Sequence, residues 1–287
     1  MTQLNSGIPE IKDYENLISS DLFLEMETFS NAFLTRNNRH LEDYSKKWIS
    51  DSLHQWSRQW EYPFAYTKIT SHRSTCADKA LNILDAGSGI TFFPYFLKLS
   101  FPHSSIYCCD YDASLKNTYQ LINRGENQPI SFSVAALENT KFQDAFFDCV
   151  CCISVLEHTA NYQQIIDEFY RIMKPDGLLV ITFDISLDGY RDISPASAQR
   201  LLMTLKNRFS VDDRQSKDVI TLIRNPERIL TTRYAAKLNP ALIPWKNSPS
   251  FMRQVRSFIR RGKFMVFPPP LTVFCQSLTK TKGQPNE

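Results

Sequence analysis

The spacing of apolar residues changes along the chain, and the changes mark out its elements. From Ile11 to about Trp60 the spacing is helical. Leu22, Leu24, Met26, Phe29 and Phe33 fall on a helix that Ser20 or Asp21 can cap, and Ile49, Leu53, Trp56 and Trp60 recur at steps of four, three and four. Pro63 is expected to stop that helix, and residues 1–9 read as disordered. From Leu81 onward the apolar runs shorten. Leu81–Asp85, Ser105–Asp110, Ile130–Val134, Phe147–Val155 and Leu178–Phe183 read as strands, most of them apolar enough to be buried on both faces of a parallel sheet. Helical spacing returns after the first strand (Phe92, Phe93, Phe96, Leu97), over 113–124 and over 161–173, and Lys174-Pro175-Asp176-Gly177 reads as a reversing turn. Strand and helix in alternation predict an α/β fold with a doubly wound, mostly parallel sheet. Later segments read as helices over 195–208, 225–236 and 251–264 and a last strand over 271–279.

The strand ends carry the candidate chemistry. The first is followed by Asp85-Ala86-Gly87-Ser88-Gly89-Ile90-Thr91, where the two glycines permit a tight turn and close approach of a ligand to the main chain. The helix after it offers unpaired N–H groups, and Thr91 can cap its start. The second strand ends in Asp110, 25 residues after Asp85, where a nucleoside-binding βαβ unit places the acid that accepts ribose hydroxyls. The fourth ends at Leu156-Glu157-His158. In an open parallel sheet, ligands bind at the carboxyl ends of strands, so these residues converge on one site. The loop 184–192 leaves another carboxyl end and is a candidate substrate loop.

Four motifs in order resemble the class I S-adenosylmethionine-dependent methyltransferases, in particular small-molecule enzymes with a type 11-like methyltransferase domain. They are Leu84-Asp85-Ala86-Gly87-Ser88-Gly89, then Asp110, then Phe147 to His158, then Glu168-Phe169-Tyr170-Arg171-Ile172-Met173-Lys174-Pro175-Asp176-Gly177-Leu178-Leu179-Val180. The resemblance covers about 80–184 and a last strand near 271–279, with Thr91 standing where the family usually has a third glycine. It implies a seven-stranded Rossmann-like sheet, with a helical cap over 1–66 and a methyltransferase domain over 67–287 whose insertion spans about 186–268. The donor would be S-adenosylmethionine, held by Asp85, Gly87, Ser88, Gly89, Asp110, Tyr111, Ala136, Leu137 and Ser154. Ala136 occupies the place of the acid that often meets adenine, so main chain and apolar packing are expected there, with Glu138 as an alternative. His158 is the candidate general base for a hydroxyl acceptor and Glu157 a weaker one, although a Glu-His pair at this place also serves packing in the family. The expected reaction is methyl transfer to a small molecule at oxygen. Transfer to nitrogen or carbon, or a partner protein that keeps the fold without activity, are the alternatives. A nicotinamide oxidoreductase is disfavoured, because Phe92 stands where the pyrophosphate fingerprint needs its third glycine.

Composition narrows this further. A net charge of +3 on 287 residues gives no nucleic-acid signature. Twenty Phe, twelve Tyr and four Trp exceed the needs of an average surface, and most are expected in the core. The seven cysteines lack the paired spacing of a zinc site, and those in strands read as buried reduced thiols. The first thirty residues lack the basic start and apolar run of a secretory leader, and no run is long enough to span a membrane. A cytoplasmic protein is expected. The helix 251–264 sets Phe251, Val255, Phe258 and Ile259 against Arg253, Arg256, Arg260, Arg261 and Lys263; a solvated face is the expectation, and contact with an anionic membrane or a phosphorylated substrate is the alternative.

Overall fold

The computed structural model describes residues 4–76, 79–126, 129–191, 193–211, 223–245 and 264–281, with positions 252, 257–259 and 262 between them. Its seven strands are β1 (Asn82–Ala86), β2 (Ser105–Asp110), β3 (Ser131–Val134), β4 (Phe147–Ile153), β5 (Met173–Ser186), β6 (Ser210–Val211) and β7 (Leu271–Thr279). They form one sheet in the order β3-β2-β1-β4-β5-β7-β6, parallel from β3 to β5 and antiparallel at β7 and β6. The order reverses beside β1, the switch point at which open α/β sheets leave a crevice.

Side-chain alternation assigns the faces. Ile83, Cys108, Cys149, Cys151 and Val180 point into the cluster shared with α3 (Arg58–Thr75), α4 (Phe93–Ser100) and α5 (Leu115–Gly125). Leu84, Cys109, Val150, Cys152 and Ile181 point into the opposite cluster, with α6 (Tyr162–Ile172) and α7 (Pro195–Arg208). The strand cysteines are therefore small core residues, and burial pushes the Cys109 thiol up to about 12 and those of Cys108, Cys149, Cys151 and Cys152 well above the ordinary range.

The helices before β1 join the first of these faces. Ser20 caps α2 (Asp21–Ser45) by accepting from the Phe23 N–H, as its sequence position predicts. Aromatic contacts then dock α2 and α3 on α4: Phe29 meets Phe96 at 5.5 Å, Phe33 meets Tyr95 at 5.1 Å and Tyr62 stacks on Phe93 at 4.9 Å. Such pairs add about 0.5–1.5 kcal/mol each beyond area burial, so the aromatic surplus is largely core.

Several expectations fail for identifiable reasons. Ile49, Leu53, Trp56 and Trp60 do not share a helix, because 46–57 is a run of turns and bends and α3 begins only at Arg58. Pro63 lies inside α3. An interior proline costs roughly 3 kcal/mol, and the burial of Trp60, Tyr62, Phe64 and Ile69 around it holds the helix together. The described part of 1–9 is ordered: Gly7 exchanges main-chain hydrogen bonds with Cys275, at 2.7 and 3.0 Å. β6 is only two residues long, so it leaves the edge of β7 open there, and Gly7 and Thr231 pair with that edge. Residues 174–177 are not a reversal but a bulge within β5, across which the register against β4 jumps from Phe147–Met173 to Cys149–Leu178. The helix expected over 225–236 shrinks to α8 (Thr232–Leu238), capped by Thr231. Most of 251–264 lies outside the described residues.

Candidate active site

β1, β2 and β4 release their chains at one edge of the sheet, and a cavity of about 890 Å³ opens there. That volume is within the range of small-molecule sites. Asp85, Gly87, Ser88, Gly89, Asp110, Tyr111, Ala136, Leu137, Ser154 and His158 line it. Glu157 does not. The one-turn 3-10 helix Leu156–His158 turns Glu157 inward and leaves His158 exposed at the rim. None of the described residues in 184–191 lines the cavity either, because Ser186 and Asp188 close that turn on itself through the N–H of Tyr190.

The glycine loop is held from both sides. Below, the N–H groups of Gly87 and Ser88 donate to the Cys109 carbonyl at 2.8 and 3.1 Å. Gly87 has φ +74, and a Cβ there would stand 2.7 Å from a Val155 methyl, so glycine is required on both counts. Above, the Tyr44 hydroxyl from α2 is hydrogen-bonded by the Ile90 N–H and lies 2.7 Å from where a Gly89 Cβ would be. Tyr119 donates to the Gly89 carbonyl at 2.7 Å. The Asp110 carboxylate accepts from Gly89 N–H at 3.1 Å and Asp112 N–H at 3.0 Å, so its direction is fixed.

The floor of the cavity is a buried charge cluster. Glu61, wholly inaccessible, accepts from Arg58 and from the Ser154 hydroxyl, both at 2.6 Å, and from the Thr182 hydroxyl. The Ser154 hydroxyl is thus committed to Glu61. Its backbone is held at φ +48, a strained value for a residue with a Cβ and frequent at functional sites. Burial pushes Asp85 up to about 7 and Glu157 up to about 8, although Arg58 pulls both down. The Glu157 Oε1 accepts from the Asp184 N–H at 3.4 Å, and its Oε2 is buried without a hydrogen-bond partner.

Tyr44, Lys47, Trp48, Ile49, Ser52, Gln55, Arg58, Pro244 and Trp245 complete the walls. Sequence reasoning did not assign them to the site, since the turns of 46–57 and the stretch at 244–245 have no periodicity that places them at a sheet edge. His54, nearby, is a satisfied histidine: Asp51 and Glu27 both bind it at 2.9 Å and hold its pKa up at about 9.

The comparisons agree with this geometry. Residues 84–181 match the family model described as a methyltransferase domain. The chain carries a class I S-adenosylmethionine-dependent methyltransferase domain. It is 30% identical over 117 residues to the ubiquinone biosynthesis O-methyltransferase of Rickettsia akari (strain Hartford), a match covering 40% of this chain and 44% of that relative. The chain therefore matches less than half the length of this curated relative. Among solved structures it is similar to the [4+2]-cyclase SpnF, with TM-score 0.48, 16% identity, and 97% of this chain and 100% of that one covered. It is also similar to the 1,6-didemethyltoxoflavin-N1-methyltransferase of Burkholderia thailandensis, with TM-score 0.47, 15% identity, and coverage of 88% and 89%.

The methyltransferase donor fits the residues present. The loop has no Cβ at the two positions closest to its neighbours. Thr91 lines the cavity, and its Oγ1 is buried with no hydrogen-bond partner, so it does not cap α4. Asp85 and Asp110 supply acceptors suited to an ammonium group and to ribose hydroxyls. No helix among the described residues is long and apolar enough to cross a membrane.

Proposed function

We propose that this chain transfers the methyl group of S-adenosylmethionine to a hydroxyl oxygen of a small molecule. The observation that carries the proposal is the meeting, in one cavity, of the glycine loop, Asp110 and His158 with walls from outside the sheet core. In this reading residues 1–66 act as a cap, and 67–287 form the methyltransferase domain. Asp110 holds the ribose, Ala136 and Leu137 face the adenine, and Asp85 with Gly87, Ser88, Gly89 and the main chain of Ser154 receives the methionine part.

Bound donor supplies a methyl group already activated on a sulfonium, so the protein's task is alignment. Trp48, Ile49 and Trp245 exclude water and press an acceptor towards the Ser154–His158 turn. As the acceptor oxygen attacks, its proton passes to the His158 imidazole, exposed at the rim. The new O–C bond forms as the C–S bond breaks, and a neutral thioether departs. Glu157, beneath the turn, positions His158 without touching the acceptor. The match to an O-methyltransferase supports oxygen as the acceptor atom.

The test incubates the full chain with S-adenosylmethionine and a panel of hydroxylated metabolites, reading S-adenosylhomocysteine and a product one CH₂ heavier. His158→Gln is expected to lower kcat by on the order of 100-fold while leaving donor affinity unchanged. Turnover that survives the change would mean an acceptor needing no base, such as a neutral amine. Failure to bind either the donor or S-adenosylhomocysteine would remove the proposal.

A further inference from the structure

Apart from His158, the cations that line the cavity among the described residues are Lys47 and Arg58. They serve different ends of it. Lys47 acts on Asp112, whose carboxyl is held below its usual range by Ser114 first and by Lys47 to a lesser extent. Arg58, the first residue of α3, acts on Asp85 at the foot of the glycine loop, which burial pushes up to about 7 against the pull of Arg58. The Arg58 side chain is 19% exposed, and a guanidinium has five N–H donors. Among the described residues one hydrogen bond leaves it, from Nη1 to the Glu61 Oε2 at 2.6 Å. Glu61 also accepts from the Ser154 and Thr182 hydroxyls, so the rest of the fork is left to the cavity that Arg58 lines.

We propose that Arg58 binds the carboxylate at the amino-acid end of the donor and makes the site select a donor that carries one. With Asp85 receiving the methionine part, the reading on which this rests, the donor's ammonium meets the Asp85 carboxylate. In an α-amino acid the ammonium and the carboxylate share one carbon. The donor's carboxylate therefore comes to the same end of the cavity, beside an acid that repels it, and an anion placed there without a cation is costly. Arg58 is the cation at that end, and its planar fork matches a carboxylate through two parallel hydrogen bonds. Lys47 acts at the ribose end. Residues 84–181, which match the family model, put no Lys or Arg into the cavity wall. A residue of α3, outside that match, thus completes the donor site.

Calorimetric titration of the full chain with two ligands tests it. One is S-adenosylhomocysteine; the other is its decarboxylated analogue, which keeps the nucleoside, the thioether and the ammonium. The natural chain is expected to bind S-adenosylhomocysteine more tightly than the analogue, by roughly 10- to 100-fold. Arg58→Lys keeps a charge towards Glu61 but loses the fork, and should weaken S-adenosylhomocysteine on the order of tenfold while leaving the analogue unchanged. R58Q/E61Q removes both charges of the buried pair together, and should bind the two ligands about equally. Thermal melting shows whether each variant is folded, and Arg58→Lys decides the matter where the double variant is not. A residue that only holds α3 in place would, on substitution, weaken both ligands alike; a preference kept in both variants overturns the proposal. So does an analogue that binds the natural chain as tightly as S-adenosylhomocysteine. If the natural chain binds neither S-adenosylmethionine nor S-adenosylhomocysteine, the donor reading itself fails, and this assignment with it.

Discussion

Asp110 is oriented by its own neighbours, independently of any ligand. Two main-chain N–H groups, of Gly89 and Asp112, orient its carboxylate and tie it to the glycine loop. Each oxygen keeps acceptor capacity towards the cavity, so two adjacent hydroxyls can bind without reorganising the site. Hydrogen bonds to a charged group contribute about 1.5–3 kcal/mol. Asp110→Ala is therefore expected to weaken binding of S-adenosylhomocysteine by roughly 10- to 100-fold in a calorimetric titration. Asp110→Asn, which retains an acceptor, should lose less. An affinity untouched by Asp110→Ala would mean that the nucleoside lies elsewhere. This acid was legible in the sequence because its position is set by the length of one βαβ unit. Thr91 was read as a missing glycine and as a cap for α4; the cap fails, because its unpartnered hydroxyl depends on how α4 starts.

At the scale of elements, α3 is bound to the sheet through Glu61 and, beside it, a set of aromatic contacts. Glu61 joins Arg58 of its own helix to Ser154 after β4 and Thr182 of β5, with no solvent to share the load. Glu61→Ala leaves a half-buried guanidinium and two buried hydroxyls without their acceptor. Breaking one partner of a fully buried ion pair costs about 3–5 kcal/mol; Arg58 reaches the cavity and is partly solvated, so the urea midpoint should fall by less than that figure implies, and with Glu61→Gln, which keeps an acceptor oxygen, it should fall less still. A midpoint unchanged by Glu61→Ala would show that α3 is held by its aromatic contacts alone. None of this was visible in the sequence. The five central strands and the last antiparallel strand could be read because their apolar runs are short and bounded by acids, glycines or prolines. Glu61 instead sits in a stretch whose helix was expected to end at Pro63, and its partners are 93 and 121 residues away. The bulge at 174–177 was misread for a related reason: Pro and Gly signal a break in the chain's direction, and only pairing with β4 and Lys280 decides that the strand resumes.

For the molecule as a whole, the cluster beneath the cavity ties stability to pH and to donor binding. Asp85 at about 7 and Glu157 at about 8 are raised above their ordinary carboxyl values by burial. For acids raised in the fold, the stabilising protonated state is fully present below the unfolded pKa, near 4, and is lost as pH rises through the folded values. The ligand-free protein should therefore melt at progressively lower temperature between about pH 5 and about pH 8. S-adenosylmethionine carries a sulfonium and an ammonium, and placing that positive charge beside Asp85 lowers its pKa. Binding near pH 6 must then expel a proton, and affinity must rise towards pH 7 and level off above it. Titrations at pH 6 in two buffers of different ionisation heat should reveal close to one proton released per donor bound, declining to almost none at pH 8. S-adenosylhomocysteine, which lacks the sulfonium, should release less. Equal heats in the two buffers at pH 6, with equal affinity at both pH values, would show that the donor's charge does not reach Asp85. The Glu61–Arg58 pair bears on the effect: Arg58 lowers the Asp85 pKa but is itself paired with Glu61, and a donor bound beside Asp85 would add positive charge that is not so shared.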